Sequence, residues 1–174
     1  MADTHTFIAR LTDKTDEKWG HAISVPVAIS DAILATQDDR RVRCTLDDIA
    51  PYSCALIPGG EGSYFILVNK SRLRALGKQA GSEVRVQLTQ DDSPYGMPMP
   101  EELGELLALD PEGNAYFHAL TPGKQRSLIY QVSHPKRSET RLRKAVVIVE
   151  FLKTNHGKLD FKALNEAHKA ANGR

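Results

Sequence analysis

The densest run of chemistry-bearing side chains is Ser133-His134-Pro135-Lys136-Arg137-Ser138-Glu139-Thr140-Arg141-Leu142-Arg143-Lys144. It reads as a loop feeding the start of a helix. Arg137, Arg141 and Lys144 recur at i, i+4 and i+7 on one helical face, with Lys136 just ahead. With Ser138 as the cap, free backbone N–H groups point outward, and the helix dipole and the side-chain charges add. The chemistry is capture of an anion: a small ligand, a nucleic-acid backbone or an anionic surface. The competing reading is that Glu139 and acids such as Asp91, Asp92 or Glu101 neutralise this face and dock the helical tail on the rest of the chain.

No other group of residues reaches the pattern a reaction needs, and no catalytic residue, metal ligand or cofactor is assigned. Pro58-Gly59-Gly60-Glu61-Gly62 lacks the Gly-Lys-Ser/Thr ending of a phosphate loop and leads into a strand, so it reads as a hairpin turn. The histidines, His21, His118 and His134 among them, show no i, i+4 pair and no Glu at metalloprotease spacing. No serine sits in a Gly-x-Ser-x-Gly elbow. Asp47-Asp48 and Asp91-Asp92 lie beside turns, where Asp caps its own backbone and stays solvated. Cys44 and Cys54 would face each other if 40–46 and 52–57 form a hairpin. In a reducing compartment they read as two buried thiols rather than a disulfide. Trp19 and Tyr64 read as barrel core or rim.

The elements that position these residues change character midway. Through residue 90 the chain alternates with period two. Phe7, Ala9 and Leu11 share a face, as do Trp19, His21, Ile23 and Val25, then Val42, Cys44 and Leu46, then Val84, Val86 and Leu88. Tyr64–Val68 is a continuous apolar run, expected of a strand covered on both faces. Two short helices interrupt the strands, one after Val25-Pro26 and one over Ser71–Leu76 with Ser71 as its cap. Short strands closely spaced by turns predict a small barrel.

Three prolines and a glycine in Asp91–Pro100 mark a linker. Helices follow: Glu101–Leu109, Asp110-Pro111 opening a helix to Leu120, and Thr121-Pro122 opening another to Val132. The longest runs from Ser138 to Asn155 with an apolar stripe of Leu142, Ala145, Val146, Val149 and Leu152, and Asn155-His156-Gly157 ends it. Asp160 caps a last segment through Phe161, Leu164 and Ala167. The fold class is α+β: a β-barrel over 1–93, a Pro-rich linker over 94–100 and a helical tail over 101–174.

At 174 residues, 41% hydrophobic and 26% charged, the chain is an ordinary globular protein that needs no disulfide. A net charge of +1 conceals a split: residues 1–120 carry 11 Lys+Arg against 18 Asp+Glu, and residues 121–174 carry 12 against 4. The first sixteen residues hold no apolar run, so no secretory signal or membrane span is read and the cytoplasm is expected.

Val42-x-Cys44-Thr45, Leu56–Tyr64 and Gly81–Val86 resemble a bacterial β-barrel domain of unknown function. Met99-Pro100-Glu101-Glu102-Leu103 and Lys136–Arg141 are similar to the YdeI/OmpD-associated, or bacteriocin-protection, helical tail that its members carry. The matches span most of residues 5–152. The resemblance implies a double-split barrel, no known catalytic activity, and a link to tolerance of cationic peptides. Gln131–Pro135 departs from the tail's usual pattern, and the last fifteen residues look like an addition. The leading functional expectation is a non-enzymatic binding or stress-protection module, monomeric or homodimeric. Its rivals are a nucleic-acid-binding regulator, against which the 6% aromatic content stands, and an enzyme with a cleft between barrel and tail.

Overall fold

The computed structural model describes residues 3–12 and 21–173. Trp19, read above as barrel core or rim, lies outside them. The chain forms two compact units, Met1–Asp92 and Ser93–Arg174, and the fold class is α+β.

The first unit holds β1 (His5–Arg10), β2 (His21–Val25), α1 (Val27–Leu34), β3 (Arg41–Leu46), β4 (Tyr52–Ala55), β5 (Ile57–Gly60), β6 (Ser63–Val68), α2 (Lys70–Leu76) and β7 (Glu83–Gln90). All strand pairs are antiparallel, in a four-stranded sheet of order β1-β7-β3-β4 and a three-stranded sheet of order β2-β6-β5. The two sheets enclose one apolar core. At one corner Thr12 and Ala22 exchange backbone hydrogen bonds of 2.9 and 3.0 Å. Elsewhere the Tyr52 hydroxyl on β4 donates to the Leu67 carbonyl of β6 at 3.4 Å. The alternation read from the sequence sets the core, because Val42, Cys44, Leu46, Val84, Val86 and Leu88 are buried while their neighbours Arg43, Glu83 and Arg85 face out. Ala22 is buried alongside Ile23, since its backbone bridges to Thr12 at the corner.

Four local expectations for this unit shift, the first being Asp91, which is buried rather than solvated. Asn69, not Ser71, caps α2: its side chain accepts the Arg72 N–H at 2.9 Å, and Gly77 ends the helix in the left-handed region. Asp47 is not a solvated turn residue. Its carboxylate accepts the Arg85 N–H of β7 at 2.9 Å and pairs with Lys78 at 2.6 Å, while Asp48 pairs with Arg85 at 3.1 Å. Burial alone would raise the Asp47 pKa, but the Lys78 ammonium and the Arg85 N–H hold it below the usual carboxylate range. The cysteines, both free, sit diagonally rather than opposite, with Cys44 across from Tyr52 and Cys54 across from Val42. Diagonal neighbours lie roughly 7–8 Å apart at Cα, wide for a disulfide. The hairpin Pro58–Gly62 does turn through positive φ, at Gly60, Glu61 and Gly62.

The second unit is helical: α3 (Glu101–Leu109), α4 (Pro111–Ala119), α5 (Pro122–Ser133), α6 (Ser138–Thr154) and α7 (Phe161–Asn172). Tyr95, Met97 and Met99 of the Pro-rich segment pack against its core. α6 is the axis, touching α3, α4, α5 and α7. Asp110 caps α4 by accepting the Gly113 N–H at 2.9 Å and also takes the Lys153 ammonium of α6 at 3.0 Å. Gly113 lies flat against Val149, so a β-carbon there would collide with the Val149 side chain. Gly157, at φ 79°, closes α6 with its N–H on the Leu152 carbonyl at 2.7 Å. Asp160 caps α7 through the Ala163 N–H at 2.9 Å.

The stripe of α6 lies differently from the one the sequence suggests. Ala145, Ile148, Val149 and Leu152 are buried, whereas Leu142 is 47% and Val146 42% exposed. Turned this way, Arg141 and Lys144 stand at the head of the buried face. Among the described residues no helix is long and apolar enough to cross a membrane.

Candidate anion site on the helical unit

The cations around the start of α6 do not form one cluster. Arg137 occupies the N-cap position without a side-chain cap bond, and Ser138 is the first helical residue. The Ser138 hydroxyl donates to Glu102 Oε1 at 2.7 Å, and Arg141 Nε donates to the same oxygen at 2.8 Å. Arg141 Nη1 also donates to the carbonyls of Pro135 and Lys136, at 3.1 and 2.8 Å. One guanidinium thus ties the first turn of α3, the 134–137 loop and α6 together. Glu102 accepts the Ser138 hydroxyl, lies at the N-terminus of its own helix and faces Arg141, so its pKa lies below the ordinary value. The acids expected on this face were Glu139 with Asp91, Asp92 or Glu101; Glu139 does take Arg143, but Arg141 goes to none of them. The helix phase of α3 presents Glu102 instead, with Leu103 and Leu107 buried beside it.

The remaining cations divide. Lys136 and Arg137 are exposed, and among the described residues neither forms an ion pair. Arg143 pairs with Glu139 across one helical turn at 3.5 Å. Lys144 is half-buried and turns toward α7, lining a cavity with Lys162, His168 and Lys169. Beside Arg141 a smaller recess of about 260 Å³ opens between Pro98–Glu102 and Ser133.

The histidines singled out from sequence serve packing. His118 Nδ1 lies 2.9 Å from the Asn114 carbonyl, so that nitrogen carries the proton and Nε2 accepts the Tyr95 hydroxyl at 2.8 Å. His134 tilts against Tyr130, ring centroids 5.6 Å apart. Cys44 and Cys54 are in thiol–thiol contact beneath Tyr52, whose ring carries the Arg72 guanidinium at 3.6 Å. Donation to Cys44 and burial push the Cys54 thiol up, and burial pushes the Tyr52 hydroxyl up.

Sequence reasoning assigned no role to Glu102, which takes Arg141, or to His168, which lines the cavity beside Lys144. Glu102 had a signal, a carboxylate in a helix's first turn after a Pro-rich lead. His168 had none, since only folding brings α7 beside Lys144.

Residues 7–88 match the family model described as Domain of unknown function (DUF1905), and residues 97–155 match the one described as Bacteriocin-protection, YdeI or OmpD-Associated. α7 lies beyond the second match. No curated protein is similar enough to match the chain. The chain therefore belongs to the proteins that join a DUF1905 domain to a YdeI/OmpD-associated domain, in that order.

Proposed function

We propose that this protein is a non-enzymatic protective binding module whose helical unit engages phosphate-bearing partners through Lys136 and Arg137, in a role tied to bacteriocin or cationic-peptide tolerance. One observation carries the reading. Arg141, neutralised by Glu102, grips the carbonyls of Pro135 and Lys136 and so holds in place a loop whose two cations form no ion pair among the described residues. Cations held in place lose less entropy on meeting an anion than cations on a free chain. Ser138 and Arg141 act as positioning residues in this scheme, and Lys144, turned toward α7, takes no part in it. The sign of the charge favours an anionic partner over a cationic peptide itself. Protection would then operate on the anionic surface the peptide attacks. The description of the 97–155 match supports the protective part of the reading.

The test has two arms. Full-length protein should sediment with phosphatidylglycerol vesicles but not with phosphatidylcholine vesicles, and the binding should weaken steeply with salt. Lys136→Glu combined with Arg137→Glu should abolish it without changing the thermal melt. Cells producing the chain should survive a cationic bacteriocin better than cells producing the double variant. Equal survival sinks the protective role, and binding confined to an oligonucleotide turns the reading to nucleic acid.

A further inference from the structure

A second binding place lies away from the exposed loop, between α5 and α7. Two adjoining cavities, of about 500 and 680 Å³, share Gln131 and Phe161 and so form one trough. Its two ends differ in chemistry. One is walled by Met97, Tyr130 and Phe161, and both rings present apolar surface to water, Tyr130 at 57% and Phe161 at 37% exposure. The other end is lined by Lys144, Lys162, Lys169 and His168.

The charges at that end do not balance. Glu166 takes Lys169 at 3.0 Å and is the one carboxylate of the lining. Lys144 and Lys162 form no ion pair among the described residues. Lys144 is half-buried, where an ammonium without a counter-ion is costly. Beside it the His168 Nε2 is buried without a hydrogen-bond partner. Burial and the Lys144 charge hold the His168 pKa below its ordinary value, so that the imidazole stays neutral. The cation end therefore holds two ammonium groups, Lys144 and Lys162, without a counter-ion among the described residues, while the other end exposes two aromatic faces. A ligand that answers both at once has an anionic head, with an oxygen for each ammonium, and an apolar body, and each of the two cavities has the size of an ordinary small-molecule site.

We propose that this trough binds a small amphipathic carboxylate, its carboxylate on Lys144 and Lys162 and its alkyl or aryl body on Met97, Tyr130 and Phe161. α7 supplies Phe161, Lys162 and His168 from outside the matched segment 97–155, whereas Met97, Tyr130 and Lys144 lie within it. The site is separate from the Lys136–Arg137 loop and goes beyond the protective role proposed above.

Calorimetric titration of the full-length protein with decanoate, 1-decanol and acetate tests both halves of the site. Decanoate should bind saturably at one site per chain, and acetate and 1-decanol at least tenfold more weakly. Phe161→Ala and Lys162→Gln should each weaken decanoate at least tenfold. Both side chains are exposed, so both variants should melt like the parent. Lys144→Gln should do the same, and Lys158→Gln, on the surface away from the trough, should change nothing. Equal affinity for 1-decanol, unsaturable uptake of decanoate, or full binding by the Lys162→Gln variant would each overturn the proposal.

Discussion

At the level of single residues, the informative contact is the meeting of Ser138, Arg141 and one oxygen of Glu102. Arg141 was legible in the sequence as a cation of the α6 start. What it does was not, because its partner lies 39 positions away and depends on the phase of α3. The outcome reverses the role spacing alone suggests: the central arginine is spent on structure, and the two cations before the helix form no ion pair among the described residues. A pH dependence follows from Glu102. Its pKa is depressed in the folded chain, by the Ser138 hydroxyl first, with Arg141 adding to it. It therefore stabilises the fold above the ordinary glutamate value near 4.3 and loses that effect as pH falls through the folded value. Glu102→Gln should melt below the parent at pH 6, and the gap should narrow as the pH is lowered through the folded value. A gap that stays constant throughout the acid titration would mean that Glu102 acts through packing alone.

The elements show where sequence reading succeeds and where it loses its grip. Helix ends were legible, because Asp110, Asp160 and Gly157 each act within a few residues of their own position. The strands of the first unit were legible because strict alternation permits one inward face. The rotation of α6 was not. Leu142, Ala145, Val146, Val147, Ile148, Val149, Phe151 and Leu152 place apolar side chains nearly all round the helix, so periodicity does not select a face. Tertiary packing selects it: Gly113 brings α4 against Val149, and Asp110 fixes the far end through Lys153. The two candidate faces predict opposite mutant behaviour. Ile148→Ala, at a fully buried site, should cost about 2–5 kcal/mol. Leu142→Ala and Val146→Ala should each cost under ~1 kcal/mol, as partly exposed positions do. Urea unfolding of the three variants decides between the faces, and a Leu142→Ala penalty as large as that of Ile148→Ala would restore the stripe read from sequence.

Over the whole molecule the charge split takes on a different meaning. It places a boundary at residue 120, whereas the structural units divide at residue 92. Residues 93–120 hold five Asp and Glu and no Lys or Arg, so much of the acidity credited to the first half belongs to α3 and α4. Those acids meet the cations of α6 inside one unit, as Glu102 with Arg141 and Asp110 with Lys153. Each unit also has its own apolar core, one around Ile23, Val86 and Leu88 and the other around Phe117, Ile129 and Leu152. Composition showed that opposite charges exist in the chain, but only the assembled helices show which meet. A unit with its own core and its own ion pairs has what folding needs, even at a size where stability is modest. The fragment 93–174 made alone should be helical by far-ultraviolet circular dichroism and should unfold cooperatively, and Arg141→Ala should lower its midpoint as it should lower that of the full chain. A fragment without a cooperative transition would show that the helices need residues 1–92 to fold.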